Sequence, residues 1–380
     1  MRRLARLLAL LLLVAVAVGF WKREEIVRLL AVNSLFSAEK IVTNFSNMDR
    51  LFLTRALSRG EGPVSVLPKG PEVELPMEVA DWITSRTITS LLVLKDGQIA
   101  HESYHQGTGE ADLRISWSMA KSMLSALFGI VLAEGKIASL DDAVTKYVPD
   151  LAGTAYDGAT VRDILNMSSG VAFNEDYLDF WSDINRMGRV LALGGSMDGF
   201  AAGLTERDAE PGARWHYVSI DTHVLGMIIR GATGEDIPEL LERHILVPLG
   251  LEAAPYHLTD GEGVSFVLGG LSMTTRDYAR FGQMIAQGGA WQGRQIVPRD
   301  WVEVSTRPQA PGNVGYGYQW WIAEGAGPGE VNAQGIYGQY IWIDRTRNIV
   351  IVATAADRGF EEPGVGAGNI AMFRKIAAGL

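Results

Sequence analysis

The sequence predicts an α+β fold in which an antiparallel sheet is flanked by helices and joined to a mostly helical lobe. Apolar runs at residues 91–94 and 99–104 flank an Asp-Gly pair, and runs at 340–343 and 349–353 flank a second turn. An Asp-Gly pair between apolar runs is a strong hairpin signal. Residues 140–265 instead carry helix-length apolar spacing. Strands at both ends with helices between them favour this fold class, with both hairpins in one sheet.

The composition is that of a globular protein without thiol chemistry. The 380 residues are 47% hydrophobic and 21% charged, ordinary values that exclude a mainly disordered chain. The formal net charge is −10 and basic residues form no block, so no nucleic-acid partner is expected. The sequence contains no cysteine, which excludes disulfides, a thiol nucleophile and cysteine-ligated metals.

Residues 1–21 are predicted to form a signal peptide or a membrane anchor. Three arginines within the first six residues precede an uncharged, almost wholly apolar run at residues 7–21. A basic head followed by an apolar stretch is typical of export signals, although a full span needs about 20 residues. The small residues 17–19 suit cleavage, and Trp21 suits an anchor that stays in place. Either alternative predicts an exported protein, periplasmic or associated with the inner membrane through residues 7–21.

Two further regions follow this segment. Residues 22–78 are interpreted as an N-terminal extension or linker, with an amphipathic stretch at 26–36. The Gly- and Pro-rich stretch 60–76 is expected to lack regular structure. Residues 79–380 are predicted to form the compact domain.

The stretch that carries chemistry opens the most apolar helix of the chain. Residues 119–132 are nearly all apolar and predict a buried helix. Ser118 precedes it and Lys121 follows three positions later, on the same helix face. A desolvated lysine has a lowered pKa and can take the serine proton. The alternative is a capping serine with a lysine that reaches solvent; the other pair with this spacing, Ser37 and Lys40, lies in the polar extension.

Several motifs together resemble a known family. The run 116–122 and Tyr217-x-Ser219 resemble the serine β-lactamase and penicillin-binding-protein superfamily, and most of all its 6-aminohexanoate-dimer hydrolase branch among the class C β-lactamase-related proteins. The resemblance extends over roughly residues 40–380. It includes the segments 44–50, 162–170, 269–273 and 335–340.

The resemblance implies a β-lactamase/transpeptidase-like fold and a set of roles, without metal or cofactor. Ser118 would be acylated, while Lys121 and Tyr217 would share the general-base and general-acid work. The backbone N–H groups of Ser118 and Ile336 would form the oxyanion hole. Near the substrate the expected residues are Tyr177, Trp181, Ser219 and Gln334. For Tyr177 and Trp181 the alternative is ordinary loop packing.

One departure from the family narrows the substrate class. Cell-wall enzymes keep Lys-Thr-Gly or His-x-Gly on the last motif strand to hold a substrate carboxylate, whereas this chain has Gln334-Gly335-Ile336. The sequence therefore favours a serine hydrolase of carboxylic esters or short linear amides. The alternatives are a D,D-carboxypeptidase or β-lactamase with a cation from another loop, and a catalytically silent membrane-associated binding protein.

Asp176, Asp179 and Asp183 are interpreted as a solvated helical face and not as a metal site, since no histidine is near.

Overall fold

The computed structural model describes residues 2–380. The helices are α1 (Arg2–Trp21), α2 (Arg23–Asn33), α3 (Ile41–Phe45), α4 (Glu78–Ser85), α5 (Met119–Ala133), α6 (Val144–Tyr147), α7 (Val161–Leu165), α8 (Asp183–Leu193), α9 (Met197–Ala202), α10 (Ser219–Thr233), α11 (Ile237–Leu241), α12 (Val247–Leu249), α13 (Thr275–Ala286), α14 (Arg299–Ser305) and α15 (Val365–Ala378). The strands are β1 (Leu53–Ala56), β2 (Ile88–Lys95), β3 (Gln98–Tyr104), β4 (Arg114–Ile115), β5 (Tyr256–Thr259), β6 (Leu271–Met273), β7 (Ala290–Trp291), β8 (Arg294–Gln295), β9 (Glu330–Gly335), β10 (Gln339–Asp344) and β11 (Ile349–Ala355).

The largest sheet confirms the predicted α+β class. It has five antiparallel strands in the order β3-β2-β11-β10-β9. The two predicted hairpins share this sheet because β2 pairs with β11, with Val93 opposite Ile351. The first hairpin turns at Asp96 and Gly97, whose φ angles are 51° and 76°. Positive φ at both central residues is what the twist of a two-residue hairpin requires.

Helices cover both faces of this sheet. Alternate residues of a strand point to opposite faces, so β2 sends Leu91 and Val93 into one core with Trp82 of α4 and Phe373 of α15. Its other face belongs to the larger core, where α13 packs on β10 and β11. A Cβ on Gly282 would lie 2.6 Å from Val350 Cγ1, so the absence of a side chain permits this close approach.

The helical lobe is built around α5 and α10. Every residue of α5 from Met119 to Val131 is buried, as its apolar sequence predicts. Two serines on α5 are satisfied by loop carbonyls: Ser122 Oγ donates to Gln319 O at 2.6 Å, and Ser125 Oγ donates to Tyr318 O at 2.7 Å. These bonds fix α5 against the segment that leads to β9.

Part of the predicted extension packs into the main body. Phe45 and Met48 are fully buried, and β1 pairs with β5 in a second sheet ordered β1-β5-β6-β4. Residues 60–76 form no helix, as predicted, and their single bridge joins Lys69 to Ile99. The boundaries of the extension and of the domain stay predictions.

The N-terminal helix α1 exposes its apolar side chains; Leu12 and Leu13 are each 67% exposed. Across the described residues 2–380, no helix combines the length and the hydropathy needed to cross a bilayer.

Candidate active site

Ser118 lies at the point where β4 gives way to α5. It is the N-cap residue of α5, and its side chain is partly exposed and thus open to a substrate. The preceding residue, Trp117, has a φ of 41°, a conformation that bulky residues rarely adopt. Such strain concentrates at functional sites, where surrounding packing holds it in place.

Lys121 follows one turn later and is sealed from solvent, with 2% of its surface exposed. Its Nζ donates to Ser219 O at 3.4 Å and lies 5.4 Å from the centre of the Tyr217 ring. Burial lowers the pKa of Lys121 to about 7, while the Glu175 and Asp221 carboxylates act in the opposite direction. A substantial fraction of the amine is therefore neutral at neutral pH and able to accept a proton.

Tyr217 comes from the loop before α10, 99 positions after Ser118, and the fold brings it to the same site. Its ring packs among Trp215, Tyr316 and Trp321. Burial, assisted by the charge of Glu175, raises the pKa of Tyr217 far above its ordinary range, although hydrogen bonds with Ser118 and Ser219 act against the rise. The phenol therefore stays protonated at neutral pH.

The end of β9 lies directly against the start of α5. A Cβ built on Gly335 would stand 2.6 Å from Ser116 O and 2.9 Å from Ser118 N, so only glycine permits this approach. Ile336 follows at the same edge, and Tyr337 has a φ of 60°. The N–H groups of Ser118 and Ile336 have no acceptor within the described part of the chain, which leaves both available for an oxyanion.

Glu175 is a site residue that the sequence analysis missed. Its carboxylate accepts hydrogen bonds from Tyr177 OH at 2.6 Å, from Ser219 N at 3.0 Å and from Ser219 Oγ. It also acts electrostatically on Lys121 and Tyr217. Glu175 stands among other acidic residues of one loop, and no local pattern distinguishes the side chain that turns inward.

Asp221 is a second carboxyl beside the lysine. It is fully buried, and Tyr156 OH donates to its Oδ1 at 2.9 Å. Burial raises the pKa of Asp221 to about 8, although the hydrogen bond from Tyr156 and the charge of Lys121 act against the rise.

The structure brings most of the other predicted residues to the site, with one exception. Tyr177, Ser219 and Gln334 line cavities that include Ser118. Trp181 does not reach these cavities and is 74% exposed. Its neighbour Phe180 lines the wall instead.

The interpretation of three aspartates as one helical face was wrong. Asp176 Oδ1 accepts from Leu178 N at 2.8 Å, and Asp179 Oδ1 accepts from Trp181 N at 2.9 Å. These short-range bonds close turns, and α8 begins only at Asp183. Aspartate side chains that bond the backbone two residues on favour turns over helix. No cluster of three metal-ligating side chains occurs in the part of the chain that the structure describes.

Two cavities meet at Ser118. The first has a volume of about 320 Å³ and is mainly apolar. The second, of about 380 Å³, contains Tyr217, Gln334 and Glu361. Glu361 is the one charged side chain among the described residues that line the second cavity, and burial followed by the nearby Asp176 raises its pKa. A substrate carboxylate would find no cation in that wall.

Comparison with known proteins decides the family. The β-lactamase family profile matches residues 84–371. The chain belongs to the β-lactamase family. Within the family, the 6-aminohexanoate-dimer hydrolase of Paenarthrobacter ureafaciens is 30% identical over 335 residues, which cover 81% of this chain and 83% of that protein.

Solved structures of the family share the fold. A candidate 6-aminohexanoate-dimer hydrolase from Bacillus anthracis superposes with a TM-score of 0.80 at 23% identity, covering 90% of this chain and 95% of that one. A class C β-lactamase in complex with cefoxitin gives a TM-score of 0.59 at 16% identity, with coverages of 80% and 96%. The predicted β-lactamase/transpeptidase-like fold is confirmed, and this family member is a serine hydrolase.

Proposed function

We propose that this chain hydrolyses carboxylic esters or short linear amides through an acyl-enzyme on Ser118. The observation that carries the proposal is the buried Lys121, one helical turn after an accessible serine and with a pKa of about 7. A neutral amine in that position can accept the serine proton, which is how a weak nucleophile is activated. The similarity to a 6-aminohexanoate-dimer hydrolase supports linear amides as one substrate class.

Acylation follows from the proposed roles. Ser118 Oγ attacks the substrate carbonyl while its proton passes to Lys121 Nζ. The carbonyl oxygen becomes an oxyanion, which accepts hydrogen bonds from the N–H groups of Ser118 and Ile336. When the bond to the leaving group breaks, the Tyr217 hydroxyl donates its proton to the departing oxygen or nitrogen and regains one from Lys121.

Deacylation repeats the same chemistry with water as the nucleophile. Lys121, now neutral again, takes a proton from a water molecule with Tyr217 as the relay. The oxygen of that water attacks the carbonyl of the acyl-enzyme ester. The Ser118–carbonyl bond then breaks, the proton returns to Ser118 Oγ, and the free acid leaves. Glu175 supports the arrangement because it holds Ser219 and Tyr177 beside the reacting groups.

The neutral motif strand separates this proposal from a cell-wall activity. The family resemblance places Gln334 where cell-wall enzymes have the carboxylate-binding lysine, and the one charged side chain among the described residues of that cavity wall is the acidic Glu361. An acidic side chain repels the carboxylate of a β-lactam or a D-Ala-D-Ala terminus. Esters and amides without that carboxylate are the better substrates for such a site.

We further propose that the protein is exported and held at the inner membrane, or released into the periplasm. The support comes from the sequence: three arginines precede the apolar run 7–21. Fractionation of cells that express the full chain, and the N-terminal sequence of the product, test this proposal. Recovery of the intact chain in the cytoplasmic fraction contradicts it.

The catalytic proposal is tested with the purified protein and its Ser118→Ala variant. The panel contains p-nitrophenyl acetate and butyrate, the linear dimer of 6-aminohexanoate, and a fluorophosphonate probe that labels activated serines. Turnover and labelling that both disappear in Ser118→Ala, with an unchanged circular dichroism spectrum, support Ser118 as the nucleophile. A wild-type protein that neither turns over nor labels supports the silent binding protein instead.

A further inference from the structure

The apolar cavity beside Ser118 has the size and lining of a site for a hydrocarbon chain. Its volume of about 320 Å³ falls in the usual range of ligand pockets, about 300–1,000 Å³. A water molecule takes up about 30 Å³ in the liquid, so for methylenes of similar size the cavity sets an upper limit of about ten groups. Its walls come from three parts of the chain. They include Leu35 and Phe36 of the extension, Met187 and Leu191 of α8, and Phe266 and Leu268 before β6.

The wall of this cavity carries little charge, which favours an uncharged chain. Among the described residues that line it, the one charged side chain is Arg189. Its guanidinium already lies 4.3 Å from the centre of the Phe180 ring, and its Nη1 donates to Phe180 O at 2.7 Å. These contacts hold the guanidinium against Phe180, and the other described residues of the wall are uncharged and mostly apolar.

The position of Tyr217 decides which part of a substrate enters this cavity. Tyr217 lines the second cavity and is not part of the first, while Ser118 and Ile336 belong to both. A leaving group must lie beside the hydroxyl that protonates it, and hence in the second cavity. The carbonyl oxygen occupies the oxyanion hole. The remaining substituent, the acyl chain, is directed into the first cavity.

We propose that the apolar cavity binds an uncharged medium-chain acyl group, of about eight carbons, and that the substrates are medium-chain acyl esters or amides. This proposal rests on the proposed acyl-enzyme function and names its substrate class. Each methylene that leaves water for an apolar wall is worth about a fourfold gain in affinity for the transition state. The chain-length dependence of kcat/KM therefore measures how far the cavity accepts the acyl group.

The first experiment compares p-nitrophenyl acetate, butyrate and octanoate below micellar concentrations, with mono-p-nitrophenyl suberate as the charged partner of octanoate. All four release the same leaving group. We expect kcat/KM for the octanoate ester to be at least 30-fold higher than for the acetate ester. It should be at least tenfold higher than for the suberate ester. Equal kcat/KM values for the acetate and octanoate esters overturn the proposal. A higher kcat/KM for the suberate ester than for the octanoate ester also overturns it, because it would show that Arg189 binds a carboxylate.

The second experiment fills the cavity at Gly188. This residue lies on the face of α8 that also carries Ile184, Met187 and Leu191, all of which line the cavity. A Cβ added at Gly188 meets no atom within 4 Å, so the first atom of a phenylalanine side chain fits there, and the helix face on which it stands directs the ring toward the cavity. The matched control is Gly368→Phe, an exposed position in α15 with the same free space and outside both cavities.

We expect Gly188→Phe to lower the octanoate-to-acetate ratio of kcat/KM at least tenfold, and Gly368→Phe to leave that ratio unchanged. An unchanged ratio in Gly188→Phe overturns the proposal.

A binding measurement separates this proposal from the proposed function. Octanoate is titrated into Ser118→Ala, and into the same variant that also carries Gly188→Phe, by isothermal titration calorimetry. Octanoate binding that Gly188→Phe abolishes supports the acyl site. If no ester is hydrolysed at the same time, only the catalytic proposal is refuted. Hydrolysis of short esters without gain from chain length, and without octanoate binding, refutes the acyl site alone.

Discussion

The pH dependence of the reaction is expected to follow the titration of Lys121. With a pKa of about 7, half of the protein holds a neutral amine at pH 7, about a tenth at pH 6 and about a hundredth at pH 5. Because the neutral form is the base, kcat/KM should fall about tenfold per pH unit below 7 and level off above it. The sign follows from burial, which disfavours the ammonium and thereby lowers the pKa.

Lys121→Arg tests the same point without removing the positive charge. A guanidinium stays protonated in proteins, so it cannot accept the Ser118 proton. Positioned general bases contribute about 10²- to 10⁴-fold, and we expect kcat/KM in Lys121→Arg to drop by at least 10²-fold. The matched control is Lys40→Arg in the second Ser-x-x-Lys pair, where the lysine is exposed and activity should stay within twofold.

Initial rates with p-nitrophenyl butyrate between pH 5 and 9, corrected for spontaneous hydrolysis, give the profile. Circular dichroism and thermal melting of each variant exclude a loss of fold as the cause of a lower rate. A flat profile between pH 5 and 8, or a Lys121→Arg variant with more than a tenth of wild-type activity, would refute the general-base role of Lys121.

Three further outcomes are expected. Gly335→Ala should lower kcat for p-nitrophenyl butyrate about 10²- to 10³-fold, because a Cβ there displaces β9 from Ser118 N. A loss of kcat no larger than in the exposed control Gly368→Ala contradicts this prediction. Glu175→Gln should move the midpoint of the pH–rate profile to lower pH, since the Glu175 charge raises the pKa of Lys121; an unmoved midpoint removes this electrostatic role. The wild type should have a kcat/KM for p-nitrophenyl butyrate at least tenfold above that for nitrocefin. A missing cation–carboxylate bond costs roughly 1.5–3 kcal/mol, which lowers binding by one to two powers of ten. Efficient nitrocefin hydrolysis would favour a cell-wall activity.

Local sequence patterns predict several elements of the fold. The continuous apolar run of α5 predicts burial wherever the helix lies, because no face of it can be left in water. The Asp96-Gly97 turn predicts its hairpin because both residues tolerate positive φ. The reactive pair Ser118 and Lys121 is also local, since residues three positions apart share a helix face. For these features the determining interactions span only a few residues.

The approach of Tyr217 was inferred from family resemblance, since its spacing carries no physical signal of its own. Its position beside Ser118 depends on packing among Trp215, Tyr316 and Trp321. Two of these rings come from the region before β9, about 100 residues further along the chain. Contacts over such separations are set by tertiary packing, and a periodicity argument cannot reach them.

The sequence by itself determined the strands of the two hairpins, the buried helix and the serine–lysine pair, because hydrophobic periodicity and turn chemistry act locally. Only the tertiary structure decided that Glu175 turns inward to Ser219 while the neighbouring Asp176 and Asp179 close turns. It also decided that Phe180, and not Trp181, lines the apolar cavity. The physical reason is the same in each case: which of several adjacent loop side chains becomes buried depends on the partners that a distant part of the chain presents.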